Sequence, residues 1–348
     1  MRQILLEATL KLNRLSSYLA DNEVLRTVAA RFERESSSKE INRVFSSSDR
    51  RLTDYAYCII TLYGVLENFN ESIIKAYINA ISNIAKRYLD LPEKMRVSHL
   101  SLTADLVLLM QRGQRKYDKI TVEGLISNLN TCLNTENPII INSDVFTQHT
   151  SNFRVDTINT FFSKVAVESL INKVKDEKQF VDYHVRYNGL IETDIANITD
   201  DILFAELNDI VQRRNEIAHG VENGDLLEIS IIKQYVYFVE VLISSIYSVL
   251  IHEYEKFRFE HVKKNDLGIP IVVYDSSIIC INSAGFDIHV NQTIYSFNET
   301  TGHVKMGKII SIKEKDTFLE VVPATERKNI GIRVDFKAKD NCKYFLEE

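Results

Sequence analysis

The stretch RRNEIAHG, Arg213–Gly220, sets two guanidinium groups, an amide and an imidazole within seven residues and then meets a glycine. Cleaving a phosphodiester in RNA without a metal requires a base for the 2′-OH proton and an acid for the leaving 5′-oxygen. It also requires a fixed cation on the anionic transition state. Histidine titrates near neutral pH and can serve both proton-transfer roles, and arginine remains a permanent cation. One copy of the stretch carries one histidine, too few for a separate acid and base. A two-fold dimer apposing two copies would supply the pair. The products would be a 2′,3′-cyclic phosphate and a 5′-hydroxyl. The same residues also read as an ordinary helix C-terminus, where cations complement the macrodipole and glycine ends the helix.

The element that carries the stretch is predicted to be a helix starting at Thr199 or Asp200. Leu203, Leu207, Ile210, Val211 and Arg214 fall on one helical stripe, so Arg214 continues an apolar face and must be paired or face water. Asn215 and His219 lie one turn apart on one face. Arg213 reads as a solvated or RNA-contacting arginine rather than a catalytic one.

Long helices are expected around it. The N-terminal 32 residues place Ile4, Leu5, Leu12, Leu15, Leu19, Val24, Leu25, Val28 and Phe32 at helical spacing, and two serine clusters between Ser36 and Ser48 read as a loop. A helix of about forty residues follows up to Pro92, with a bend or break expected near Asn68–Asn70. Further helices are read over VSHLSLTADLVLLMQRGQRKYDKI, TVEGLISNLNTCLN, the end of NPIIINSDVFTQHTSNFRVDTINTFFSKVAV, and DLLEISIIKQYVYFVEVLISSIYSVLIHEYEKFRFEHVKK. After Lys264 the apolar runs shorten into IPIVVYD, SIICIN, DIHV, QTIYSF, KMGKIISIKE, TFLEVV and IGIRVDF, the pattern of a small antiparallel sheet or barrel. The predicted fold class is therefore α+β, a helical domain over 1–264 and a β-rich domain over 265–348.

Composition narrows the function classes. The net charge of −6 conceals an asymmetry: residues 1–119 hold 19 basic and 14 acidic residues, while the β-rich tail holds ten and twelve. A basic helical half could present a face to a phosphate-bearing partner, but the asymmetry alone reads first as a solvated surface of mixed charge. The segment QRGQRKYDK, 111–119, reads as a solvated loop with a possible role along a phosphate backbone. The four scattered cysteines form no C-x-x-C pair, which fits a reducing cytoplasm. No membrane span is read. His99, His149, His184, His252, His261, His289 and His303 stand isolated, so no metal is expected, and no glycine-rich phosphate loop is present.

The R-N-x-x-x-H pattern of Arg214–His219 in a late helix resembles the signature of the HEPN superfamily (higher eukaryotes and prokaryotes nucleotide-binding). RRNEIAHG is especially similar to the RiboL-PSP-like branch and its relatives in bacterial toxin and antiviral loci. YGVLENFNESIIKAYI resembles that branch's early helix, with Glu67 at its polar notch. HTSNFRVDTINTFFSKVAV resembles the segment before the signature helix. The resemblance spans roughly 50–260 and leaves out the β-rich tail. It implies a metal- and cofactor-independent endoribonuclease site at a homodimer interface. Arg214 would bind the scissile phosphate, His219 would be the acid–base group, Asn215 would position it, and Glu67 would be a polar partner of Arg214. Implied partners are an RNA substrate (tRNA or mRNA), a second copy of the chain, and an antitoxin or defence-system protein. Some members have lost catalysis, so a silent HEPN scaffold is the alternative.

Overall fold

The computed structural model describes residues 1–32, 48–112, 120–134, 139–220, 226–283 and 285–348. The serine-rich stretch 33–47 and most of the basic segment, 113–119, lie outside them. Packing divides the chain into two units. One comprises Met1–Ser82 and Lys86–Leu250, the other Asn83–Ala85 and Ile251–Glu348.

The first unit is helical. Helix α1 (Arg2–Phe32) packs on α2 (Ser48–Ser82). The chain then forms α3 (Glu93–Gln111), α4 (Val122–Asn134), α5 (Val155–Ser163), α6 (Leu170–Lys175) and α7 (Lys178–Tyr187). Helices α8 (Asp200–Leu203), α9 (Ala205–Ala218) and α10 (Ile229–His261) follow among the described residues.

Helix α1 buries Ala8, Leu12, Leu15 and Leu19, but Val24, Leu25 and Val28 are exposed. The helical spacing therefore gave the contact face of the first five turns and overstated it beyond them. Helix α2 runs through Asn68–Asn70 without the expected interruption. The Asn70 amide donates to the Leu66 carbonyl at 3.0 Å, a bond made along the helix rather than in competition with it. The helix stops at Ser82, ten residues before Pro92. Helix α10 is long and apolar enough to cross a membrane by composition alone. In its most apolar window 56% is buried within the protein, as expected of a core helix.

Among the described residues, the second unit contains the last turns of α10 and ten strands. These are β1 (Lys264–Gly268), β2 (Val272–Tyr274), β3 (Ile278–Asn282), β4 (Ile288–His289), β5 (Thr293–Asn298), β6 (His303–Glu314), β7 (Thr317–Leu319), β8 (Val321–Val322), β9 (Asn329–Val334) and β10 (Lys343–Glu347). The main sheet runs β1-β10-β5-β6-β9-β3-β2, with β7 also on β6, and β4 pairs with β8. Every pairing is antiparallel. Ile279, Ile281, Ile294, Ile309, Ile312, Ile330, Ile332 and Leu346 point into one core, the inward half of a period-two pattern. Gly307 in β6 admits no side chain: a Cβ there would meet Asp335 Oδ1 at 2.1 Å and the Phe336 ring at 2.3 Å. The expected α+β class is the one observed.

Candidate active site on helix α9

The single helix expected from Thr199 or Asp200 is broken into two, of which the second, α9, carries the RRNEIAHG stretch. Thr199 precedes α8, Phe204 interrupts the spiral at φ −117° and ψ 26°, and α9 resumes at Ala205. Leu203, Leu207, Ile210 and Val211 are fully buried. At about 25 cal/mol per Å2 of apolar surface, each such side chain contributes roughly 2 kcal/mol to holding α9 against its neighbours. The stripe then reaches Arg214, which is half-buried. His219 caps the helix, and Gly220 turns the chain away at φ +68°, a left-handed conformation in which glycine carries no steric cost.

Arg213 and Arg214 leave the helix in different directions and meet different surroundings. Arg213 Nε donates to Asp209 Oδ2 at 2.5 Å and its Nη1 to the Tyr55 hydroxyl at 2.9 Å. Tyr235 donates to the same Asp209 oxygen at 2.6 Å. This closed network ties α9 to α2 and α10. Arg213 is thus an anchor, not the solvated or RNA-facing group expected from sequence.

Arg214 lies over the Tyr63 ring, 5.1 Å from its centroid, and donates from Nη1 to Asn215 Oδ1 at 3.3 Å. Asn215 Oδ1 also accepts from Asn152 Nδ2 at 2.8 Å. Tyr63 donates to Asn152 Oδ1 at 3.2 Å and accepts from the Phe153 backbone N–H at 3.2 Å. Arg214, Asn215, Asn152 and Tyr63 therefore close a ring of contacts. Burial pushes the Tyr63 phenol above its usual range, so it remains a hydrogen-bond donor at neutral pH. Asn215 Oδ1 is thus occupied twice, and its NH2 makes no hydrogen bond among the described residues. Most of the Arg214 N–H groups are likewise unengaged among the described residues, and the guanidinium rests on an aromatic face that favours the cation. His219 is exposed and makes no side-chain hydrogen bond among the described residues.

Glu67 does not pair with Arg214, contrary to expectation. Tyr63, Glu67 and Glu71 repeat at intervals of four on one face of α2, and the two carboxylates converge on His149. His149 Nε2 is 3.0 Å from Glu71 Oε1 and 3.8 Å from Glu67 Oε1, while Nδ1 is 3.1 Å from the Ser151 carbonyl. Both ring nitrogens face groups that only accept, so both bonds form together when each nitrogen carries a proton. The sequence left His149 isolated because its acidic partners lie about eighty residues away. Tyr63, His149 and Asn152 were missed as site residues, although they fall inside the two stretches singled out for resemblance. Among the described residues, no group of three or more His, Cys, Asp or Glu side chains is placed to hold a metal.

The helical unit thus carries the Arg214-Asn-x-x-x-His219 pattern at the end of α9. A family model described as RiboL-PSP-HEPN matches residues 28–252, about two thirds of the chain, and the chain belongs to that family. No curated protein and no solved structure matches it.

Proposed function

We propose that the chain is a metal-independent endoribonuclease of the HEPN type. The observation that supports this reading best is the open end of α9. There a cation seated on Tyr63, a half-buried amide and an exposed imidazole lie within two turns of helix. Arg214 would hold a non-bridging oxygen of the scissile phosphate, and Asn215 would donate from its NH2. His219 would take the 2′-OH proton, and His219 of a second copy would protonate the departing 5′-oxygen. The reaction takes one proton from the attacking 2′-oxygen, gives one to the leaving 5′-oxygen as the P–O5′ bond breaks, and adds no water, so it ends at a 2′,3′-cyclic phosphate and a 5′-hydroxyl. A homodimer bringing the two helix ends into one groove completes the acid–base pair. RNA of the tRNA or mRNA class is the substrate, and a cytoplasmic toxin or antiphage effector held by an antitoxin or defence partner is the setting.

The test is incubation of total RNA with the purified protein in EDTA, with mass spectrometry of the fragment ends and light scattering for the assembly. Cyclic phosphate ends from a dimer are expected. Ends bearing a 5′-phosphate, or cleavage that requires added metal, contradict the reading. A second reading, a silent HEPN scaffold, draws on Arg214 already having Tyr63 and Asn215 as partners in the fold. A dimer inert on RNA selects it.

A further inference from the structure

A groove leads away from Asn152 along the start of α5. Its first hollow, about 480 Å3, is lined by Asn152, Arg154 and Asp156 among others. It shares Thr150, Ser151, Asp156 and Thr157 with a second hollow of about 540 Å3, which continues to His149, Thr160, Phe161 and Lys164. Each volume falls within the roughly 300–1,000 Å3 of small-molecule sites. Because Asn152 is bonded to Asn215, the groove begins one side chain away from Arg214.

The lining is suited to one nucleotide. Arg154 spends one N–H on Asn208 Oδ1 at 3.3 Å and supplies a cation for a phosphate. Leu109 and the edge of Phe161 provide apolar wall for a base face, and Thr157 and Thr160 bring hydroxyls. Lys164 is directed inward to the Gln148 carbonyl at 2.6 Å, which makes it part of the wall. His149, fixed between Glu71 and Ser151, supplies a rigid shoulder. Asp156 is exposed in both hollows, and a carboxylate only accepts hydrogen bonds. It therefore favours a base that offers an exocyclic amino group over uracil, which offers carbonyls on either side of its single ring N–H.

We propose that this groove seats the nucleotide adjoining the scissile phosphate and selects cytosine, adenine or guanine there against uracil. The proposal rests on the nuclease reading above and adds a specificity site to it. Titration of the full-length chain with 3′-CMP, 3′-AMP, 3′-GMP and 3′-UMP by calorimetry tests it. The first three should bind about tenfold more tightly than 3′-UMP, the discrimination expected of a well-made base contact. Thr157→Phe should fill the groove and abolish binding of all four. Asp156→Asn, at an exposed position that leaves folding intact, should level the preference between 3′-CMP and 3′-UMP. Equal binding of the four nucleotides by the wild type, unchanged binding by a folded Thr157→Phe, or an unchanged preference in Asp156→Asn overturns the proposal. Arg214→Ala keeps the two readings apart. Cleavage lost with nucleotide binding kept supports both, and RNA cleavage without nucleotide binding removes only the groove. Nucleotide binding by a wild type that never cuts RNA removes only the nuclease.

Discussion

Two faces of helix α9 use adjacent arginines in opposite ways. On one face Arg213 is enclosed by Asp209, Tyr55 and, through Asp209, Tyr235. On the other Arg214 rests on a ring and keeps most of its donors unengaged among the described residues, five residues before an exposed His219. The histidines divide in the same way. His99 is fully buried with both ring nitrogens bonded, to the Tyr88 hydroxyl and the Asn142 backbone N–H, whereas His219 is exposed. A side chain whose bonding capacity is met by the fold stabilises it. One left with unmet capacity at a helix end is available for a ligand.

The comparison can be broken most strongly at His219. Because the ring is exposed and unbonded among the described residues, His219→Ala should leave the melting temperature unchanged. It should lower RNA cleavage about 100- to 10,000-fold, the usual contribution of a general acid–base group. Cleavage assays at matched folded concentration check this, and a loss of less than about threefold removes His219 from the mechanism.

Acid should act on the enclosed histidines instead. Burial lowers the pKa of His99 and of His184 from 6.5 to about 4. His99 Nε2 accepts the Asn142 backbone N–H at 3.1 Å, and His184 Nδ1 accepts from Asn188 at 2.9 Å, bonds that only the neutral ring can accept. The unfolded chain binds these protons near pH 6.5 and the folded one near 4. Their contribution is thus complete above 6.5 and is lost as pH falls through that window. Glu255, in the second unit, has the opposite sign. Burial raises its carboxyl from 4.5 to about 7, so its contribution is complete below 4.5 and is lost as pH rises through 7. Hydrogen exchange between pH 5 and 8 should show the first unit loosening toward acid and the second toward base. The same trend in both units contradicts these assignments.

Smaller effects sharpen the contrast. Asp209→Ala leaves Arg213 and the Tyr235 hydroxyl without their shared acceptor and should cost about 2 kcal/mol in urea denaturation, with cleavage per folded molecule unchanged. Tyr63→Phe keeps the ring beneath Arg214 but removes the hydroxyl that orients Asn152 and Phe153. It should cost about 1 kcal/mol and lower cleavage only a few-fold. An effect on cleavage as large as that of His219→Ala would make the phenol itself a catalytic group.

Much of this geometry is legible in the sequence, and the remainder is not for physical reasons. Periodicity located α9 and placed Arg214 at the end of its stripe, because local spacing and local structure coincide there. The helix stop at Gly220 was readable for the same reason. The pairing of His149 with Glu67 and Glu71 is a tertiary event between a loop and α2, and nothing local announces it. Strands β1 and β10 were missed because Lys264–Gly268 and Lys343–Glu347 carry charged residues among their apolar ones, yet they pair with each other. Val24, Leu25 and Val28 mark the reverse error, an apolar spacing that continues where the fold leaves the helix exposed.

The most direct test is the rate of RNA cleavage in EDTA by Arg213→Ala and Arg214→Ala, each corrected for its folded fraction. Loss of about 100- to 1,000-fold is predicted for Arg214→Ala, with Arg213→Ala within about threefold of the wild type once its lower stability is allowed for. Equal losses in both variants, or a larger loss at Arg213, would contradict the assignment of chemistry to the open face of α9.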